Sequence, residues 1–177
     1  MPTDLTDDLL KGIDVDLSSA FDRNFENKSF FDKSWPKEKL FNRKGSLLAR
    51  TNSLRKSIRS VRGPGQVSWL SSLPYASIHN EGGEVVVTAK MKKFFWAMFY
   101  KSSGAVSETK KGKVRNNERN RRLNVEATQW KALALQPVGK VMKVEERRFI
   151  GPHPQVDSIV KQNADILAQK IDKDIKQ

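Results

Sequence analysis

The chain contains no cysteine, which excludes disulfides, thiolate metal sites and cysteine nucleophiles. It has only two histidines, His79 and His153, so histidine-based metal or acid–base chemistry has few residues to draw on. No apolar run approaches the roughly 18 residues that a membrane span needs. Apolar residues make up 37% of the 177 and charged residues 30%, a lean balance that predicts a loop-rich or extended part beside a compact one. The length suits one domain, residues 1–177, with room for an insertion. The first residues, with Asp4, Asp7 and Asp8, are acidic and do not read as a secretion signal. A cytosol, or an assembly built there, is the expected setting. No glycine-rich phosphate loop is present, because Gly63-Pro64-Gly65 lacks a Lys-Ser/Thr partner and proline removes a donor amide. No Gly-x-Ser-x-Gly elbow is present either.

What is abundant is positive charge. The net +13 predicts affinity for a polyanion or an acidic partner. Residues 1–26 hold seven acids and two bases, 37–62 hold nine bases and one acid, and 101–122 hold eight bases and two acids. Such segregation suits head-to-tail packing, with an acidic arm of one subunit against a basic face of the next. Solvated faces without a partner are the plainer reading.

Ile13, Leu17, Phe21 and Phe25 recur every four residues, with Ala20 beside them, which predicts an amphipathic helix capped by Asp14 or Asp16 and ending near Asn27. Residues 28–46 read as a loop pinned by aromatics (Phe30, Phe31, Trp35, Phe41) and broken at Pro36 and Gly45. Thr51 or Ser53 is placed to cap a short helical turn carrying Leu54 and Ile58. Arg62-Gly-Pro-Gly65 is a turn signal between Ser57–Val61 and Gln66–Leu70, hence a hairpin. Tyr75–Glu81 reads as a helical turn shut off by Gly82 and Gly83, delivering the chain into a strand at Glu84–Thr88.

Lys90–Lys101 is apolar all round its middle, the pattern of a helix buried on several sides; a membrane-interface helix would need a polar face that this one lacks. Residues 102–122 read as a mobile basic loop, Val125–Leu135 as a helix ended by Pro137, Val138–Val144 as a strand and Gln155–Ile175 as a final amphipathic helix. Strands and helices do not alternate regularly. The expected fold is α+β, a small antiparallel or mixed sheet packed with amphipathic helices, plus the long basic insertion.

His79, Asn80 and Glu81 invite a catalytic reading. However, His79 and Glu81 are two apart and do not share a helical face, and the further ligands of a metal nuclease are missing. A helix-end histidine bonded to backbone or packed on Tyr75 is the better reading, and His153, between two prolines, reads as a rigid turn. No catalytic residue, metal or cofactor is therefore expected. Sequence-independent nucleic-acid binding is a serious rival, since the bases of 101–122 could neutralise phosphates, although that block has no aromatic for base stacking.

Three motifs in order resemble the phage virion morphogenesis family, the tail-completion proteins of long-tailed phages. Arg50-Thr-Asn-Ser-Leu-Arg-Lys-Ser-Ile58 is similar to that family's Thr-Gly-x-Leu-x-x-Ser-Ile; Pro74-Tyr-Ala-Ser-Ile-His-Asn-Glu-Gly-Gly83 to its Tyr-Ala-x-Ile-His-Asn-x-Gly-Gly; and Arg147-Arg-Phe-Ile-Gly151 to its Arg-Pro-Phe-Leu-Gly. Asn52 stands in place of the family's glycine and Arg148 in place of its proline. The resemblance implies a non-enzymatic subunit of a neck or tail-terminator ring, commonly sixfold, that completes the tail and joins it to the head. The implied partners are further copies of the chain, the tail tube, the head connector and the packaged DNA passing through the lumen, with no membrane. The implied place is the virion, assembled in the bacterial host cytoplasm. On this reading Tyr75, His79, Phe95, Trp96 and Phe149 are expected at a subunit or partner interface. Lys110, Lys111, Lys113, Arg115, Arg119, Arg121 and Arg122 are expected to meet DNA or an acidic partner. Gly63, Gly65, Gly82, Gly83 and Gly151 are expected at structural turns.

Overall fold

A computed structural model describes residues 2–39 and 47–176; Phe41 and Gly45 of the expected aromatic-pinned loop lie outside the described residues. In chain order the elements are α1 (Pro2–Asn27), β1 (Ser29–Phe30), β2 (Lys33–Ser34), α2 (Ser53–Ser57), β3 (Ile58–Gly63), β4 (Gln66–Ser71), α3 (Ala76–Glu81), β5 (Gly83–Val86), α4 (Ala89–Gly104), α5 (Glu118–Ala134), β6 (Val141–Val144) and α6 (Pro154–Ile175). The strands pair as three two-stranded antiparallel sheets, β1–β2, β3–β4 and β5–β6. The fold is α+β.

The chain forms two compact units. One comprises Met1–Pro36, Leu48–Gly82 and Glu145–Gln177; the other comprises Lys37–Leu47 and Gly83–Val144. Each unit buries its own apolar side chains, which is why the chain divides. In the first unit, Leu17, Phe21 and Phe30 form a core onto which Ile13, Phe31, Trp69, Ile150, Val156 and Ile159 pack. The period-four stripe of α1 thus packs against Val156 and Ile159 of α6. The helix starts twelve residues earlier than expected, at Pro2. Asp14 and Asp16 do not cap it: Asp14 accepts from Ser18 and faces Arg62, while Asp16 accepts from Asn163. Gly12 lets α6 approach closely, since a Cβ there would lie 2.2 Å from Oδ1 of the buried Asn163.

The hairpin β3–β4 has the predicted turn. Gly63 pairs with Gln66, leaving Pro64-Gly65 as the two-residue loop, and Gly65 has φ +70°, as the third position of a type II turn requires. Gly63 itself ends β3 and lies outside the left-handed region, so no special conformation demands glycine there. The cap of α2 is corrected from Thr51 or Ser53 to Asn52, which sits in the left-handed region at φ +56°.

In the second unit α4 and α5 form an antiparallel helical hairpin. Phe95 stacks on Trp130 at 6.0 Å, and Leu123 and Ala127 are buried. The expected burial of α4 on several sides is not what is observed. Phe95 is buried, whereas Phe94 and Tyr100 are 54% and 66% exposed. Among the described residues α5 covers one face of α4, leaving Phe94 and Tyr100 exposed and Trp96 and Phe99 half-buried. The expected loop at 102–122 is also shorter: Ser102–Gly104 belong to α4, and Glu118–Arg122 are the first residues of α5. Asn117 caps α5, its Oδ1 accepting from Asn120 N at 2.8 Å, which extends the helix seven residues before Val125. The last strand begins at Val141 rather than Val138.

Candidate functional site

The His79-Asn80 pair lies in α3, and both of its residues are tied to the segment after β6. The Asn80 carboxamide donates to Ile150 O at 3.0 Å and accepts from Phe149 N at 2.9 Å and Ile150 N at 3.1 Å. His79 O accepts from Arg147 N at 2.8 Å. Two further side chains hold the same segment. Asn24 of α1 donates to Phe149 O at 3.1 Å, and Trp35 Nε1 donates to Arg148 O at 2.6 Å. Phe149 is 2% exposed and packs 5.0 Å from Phe25. Arg147–Ile150 is therefore a strip threaded through the first unit, with the carbonyls of Arg148, Phe149 and Ile150 and the amides of Phe149 and Ile150 bonded to asparagine and tryptophan side chains instead of a sheet partner.

This overturns part of the expected interface set. Phe149 and Phe95 are interior residues, each buried against aromatics of its own unit. Tyr75 is 41% exposed and meets His79 edge-on at 5.9 Å. Trp96 is half-buried and stacks on the exposed Tyr100 at 6.0 Å. Tyr75 and Trp96 therefore remain available to a partner.

The His79 ring titrates below its ordinary range, first because burial disfavours the cation and second because Arg147 is nearby. Its Nδ1 is buried and accepts no hydrogen bond among the described residues. The ring is thus an edge-on packing partner of Tyr75, and the polar tie of this residue is its main-chain carbonyl. Among the described residues, no three His, Asp or Glu side chains gather as metal ligands.

His153 does more than turn the chain. Its Nδ1 accepts from Gln155 N at 3.2 Å, capping α6, so Nε2 carries the proton and donates to Asp32 Oδ1 at 2.9 Å. The ring stacks on Phe31 at 4.6 Å. Phe30, Asp32, Trp35, Glu146, Arg148 and His153 line a cleft of about 310 Å³. With both ring nitrogens engaged, His153 has no lone pair to offer a substrate. Nothing in the sequence pointed to the Asp32 contact, because Asp32 lies 121 residues away.

The seven bases expected to meet a polyanion are all exposed and lie at one end of the α4–α5 hairpin. The connection before α5 is organised by Asn120, which is 1% exposed. Its Nδ2 donates to Ser107 O and Arg115 O at 2.9 and 2.7 Å, and its Oδ1 accepts from Ser107 N at 3.1 Å. A bridge between Glu108 and Val114 closes the tip.

Of the turn glycines, Gly82 and Gly83 both have positive φ, +73° and +148°, as the stop to α3 predicts. Gly151 is likewise at +148°. Compared with protein-family models, with curated proteins and with solved structures, the chain matches none.

Proposed function

We propose that the chain is a non-enzymatic structural subunit of a phage neck or tail-terminator ring, completing the tail and joining it to the head. One observation carries this reading: the three motifs behind the resemblance form one framework, and both departures from the family pattern suit their positions. Asn52 stands where the family has glycine, and its φ of +56° is the left-handed conformation that glycine, then asparagine, adopts most readily. Arg148 stands where the family has proline, and its N–H donates to nothing among the described residues, so proline would lose no hydrogen bond there. The second and third motifs are joined through Asn80, and the first joins α1 through Arg55, which pairs with Asp22 and Glu26.

The His-Asn pair, the most enzyme-like feature of the sequence, is occupied in holding the fold. The reaction this reading assigns is mechanical: arrest of tube growth and presentation of a docking face. The test is size-exclusion chromatography with light scattering on the purified chain, with and without DNA. A discrete assembly near six times the 20.2 kDa chain mass, formed without DNA, is expected. A monomer at every concentration, alone and with purified tail tubes, would overturn the proposal.

A further inference from the structure

The 33 bases and 20 acids divide unequally between the units: 15 and 15 in the first, 18 and 5 in the second. The whole net charge belongs to the second unit. The acidic start of the chain does not offset it, because its described carboxylates are engaged within the first unit. Asp7 meets Lys11 at 3.1 Å, Asp8 meets Lys170 at 3.0 Å, Asp14 meets Arg62 at 3.5 Å, and Glu26 meets Arg55 at 2.8 Å. Pairing of an acidic arm with a neighbour's basic face therefore loses its acidic half. The positive charge of the second unit calls for a polyanion from outside the chain.

The structure also supplies what the basic segment lacked on its own. The antiparallel hairpin sets the last turn of α4 beside the first turn of α5, so Tyr100 and Lys101 stand at the same end as Arg119, Arg121 and Arg122. Tyr100 is 66% exposed and rests on Trp96, 6.0 Å away with the planes 28° apart, and on Phe99 at 5.2 Å. Lys93, seven residues before it, shares its outward face. Among the described residues, the one ion pair within 101–122 joins Arg122 to Glu118. An open aromatic ring at the same end of the hairpin as unneutralised bases matches a strand whose phosphates are charged and whose bases are free to stack. A duplex hides those base faces.

We infer that this end of the α4–α5 hairpin is a docking surface for single-stranded nucleic acid, with Tyr100 as the stacking platform and the bases of 101–122 holding the phosphates. The inference rests on the second unit alone and does not need a ring. The test is fluorescence anisotropy of the purified full chain with a labelled 30-nucleotide oligothymidine and with a 30-base-pair duplex. Light scattering on the same samples reads oligomeric mass separately. Oligothymidine should bind more tightly, with affinity falling steeply as salt rises. Tyr100→Ala should weaken oligothymidine binding about tenfold and duplex binding less than twofold, while Tyr100→Phe restores the wild-type value. Equal losses for both nucleic acids, or no loss, would overturn the stacking role. So would tighter binding to vesicles of anionic phospholipid than to oligothymidine, which would make the face a membrane surface. Absence of binding to any of the three would overturn the surface altogether.

Discussion

Asn120 offers the sharpest measurement of how the basic end is held. Asn120→Ala removes two donated and two accepted hydrogen bonds at a residue that is 1% exposed. Ser107 N is left without a partner, while Ser107 O and Arg115 O lose one of two donors and keep those from Arg115 N and Asn117 N. The orphaned N–H costs about 1–3 kcal/mol while it stays dry, and the bonds lost by the two carbonyls about 0.5–1.5 kcal/mol each. Opening of the connection to water limits the total, so a loss of about 2–4 kcal/mol in local stability is expected, or about 30- to 1000-fold in local opening. Peptide-resolved hydrogen exchange suits this best, because each unit contains two of the four tryptophans and their fluorescence mixes the two. Amides of 105–117 should exchange faster in the variant by that factor, while those of 17–25 in α1 keep their protection. If 105–117 exchanges equally fast in the wild type, the segment is the mobile loop that its composition suggests, and the reasoning from Asn120 fails.

Asn80→Ala should lower the urea midpoint by about 1–2 M, since two N–H groups and one carbonyl of Phe149 and Ile150 lose their partner in a half-buried site; an unchanged midpoint would mean that the strip is held by packing alone. Burial and Arg147 depress the titration of His79, so the unfolded chain takes up a proton that the fold resists, and stability from this residue is full above about pH 6.5 and declines as pH falls below it. Melting followed from pH 7.5 to 5 should show that decline, and His79→Gln should flatten it. Gly83→Val places a β-branched residue at φ +148° and should cost about 1–3 kcal/mol, with Gly83→Asn milder, as read by thermal melting. Replacing the seven bases from Lys110 to Arg122 by serine should leave melting nearly unchanged, because exposed charges contribute little to the fold, and should abolish the salt-dependent part of nucleic-acid binding.

Local chemistry made much of this molecule legible. The stripe from Ile13 to Phe25, the Pro64-Gly65 turn and the Gly82-Gly83 stop each encode their structure within a few residues, and each is where the pattern placed it. What the pattern could not carry was contact at a distance. The roles of Asn24, Asn80 and Asn120 come from hydrogen bonds to segments 125, about 70 and 5–13 residues away, and asparagine is as common in plain turns as in buried pins. Phe149 looked like an interface residue because motif membership says nothing about burial, and it proves to be core. The aromatic run of α4 looked fully buried because its composition does not reveal how many neighbours it has. The basic segment was judged without Tyr100, which directly precedes it, because composition does not reveal that this ring is exposed.

The register of β5 and β6 bears on how such a chain can change over generations. Gly83 stands opposite Val144, so the excursion from 83 to 144 leaves and returns at points one strand spacing apart. A tight two-residue turn would bridge that gap. Insertions, exchanges or shortening between these two positions would leave the order of the remaining chain untouched, apart from the short piece Lys37–Leu47. The basic hairpin is thus the portion that can be altered without touching the asparagine pins on Arg147–Ile150.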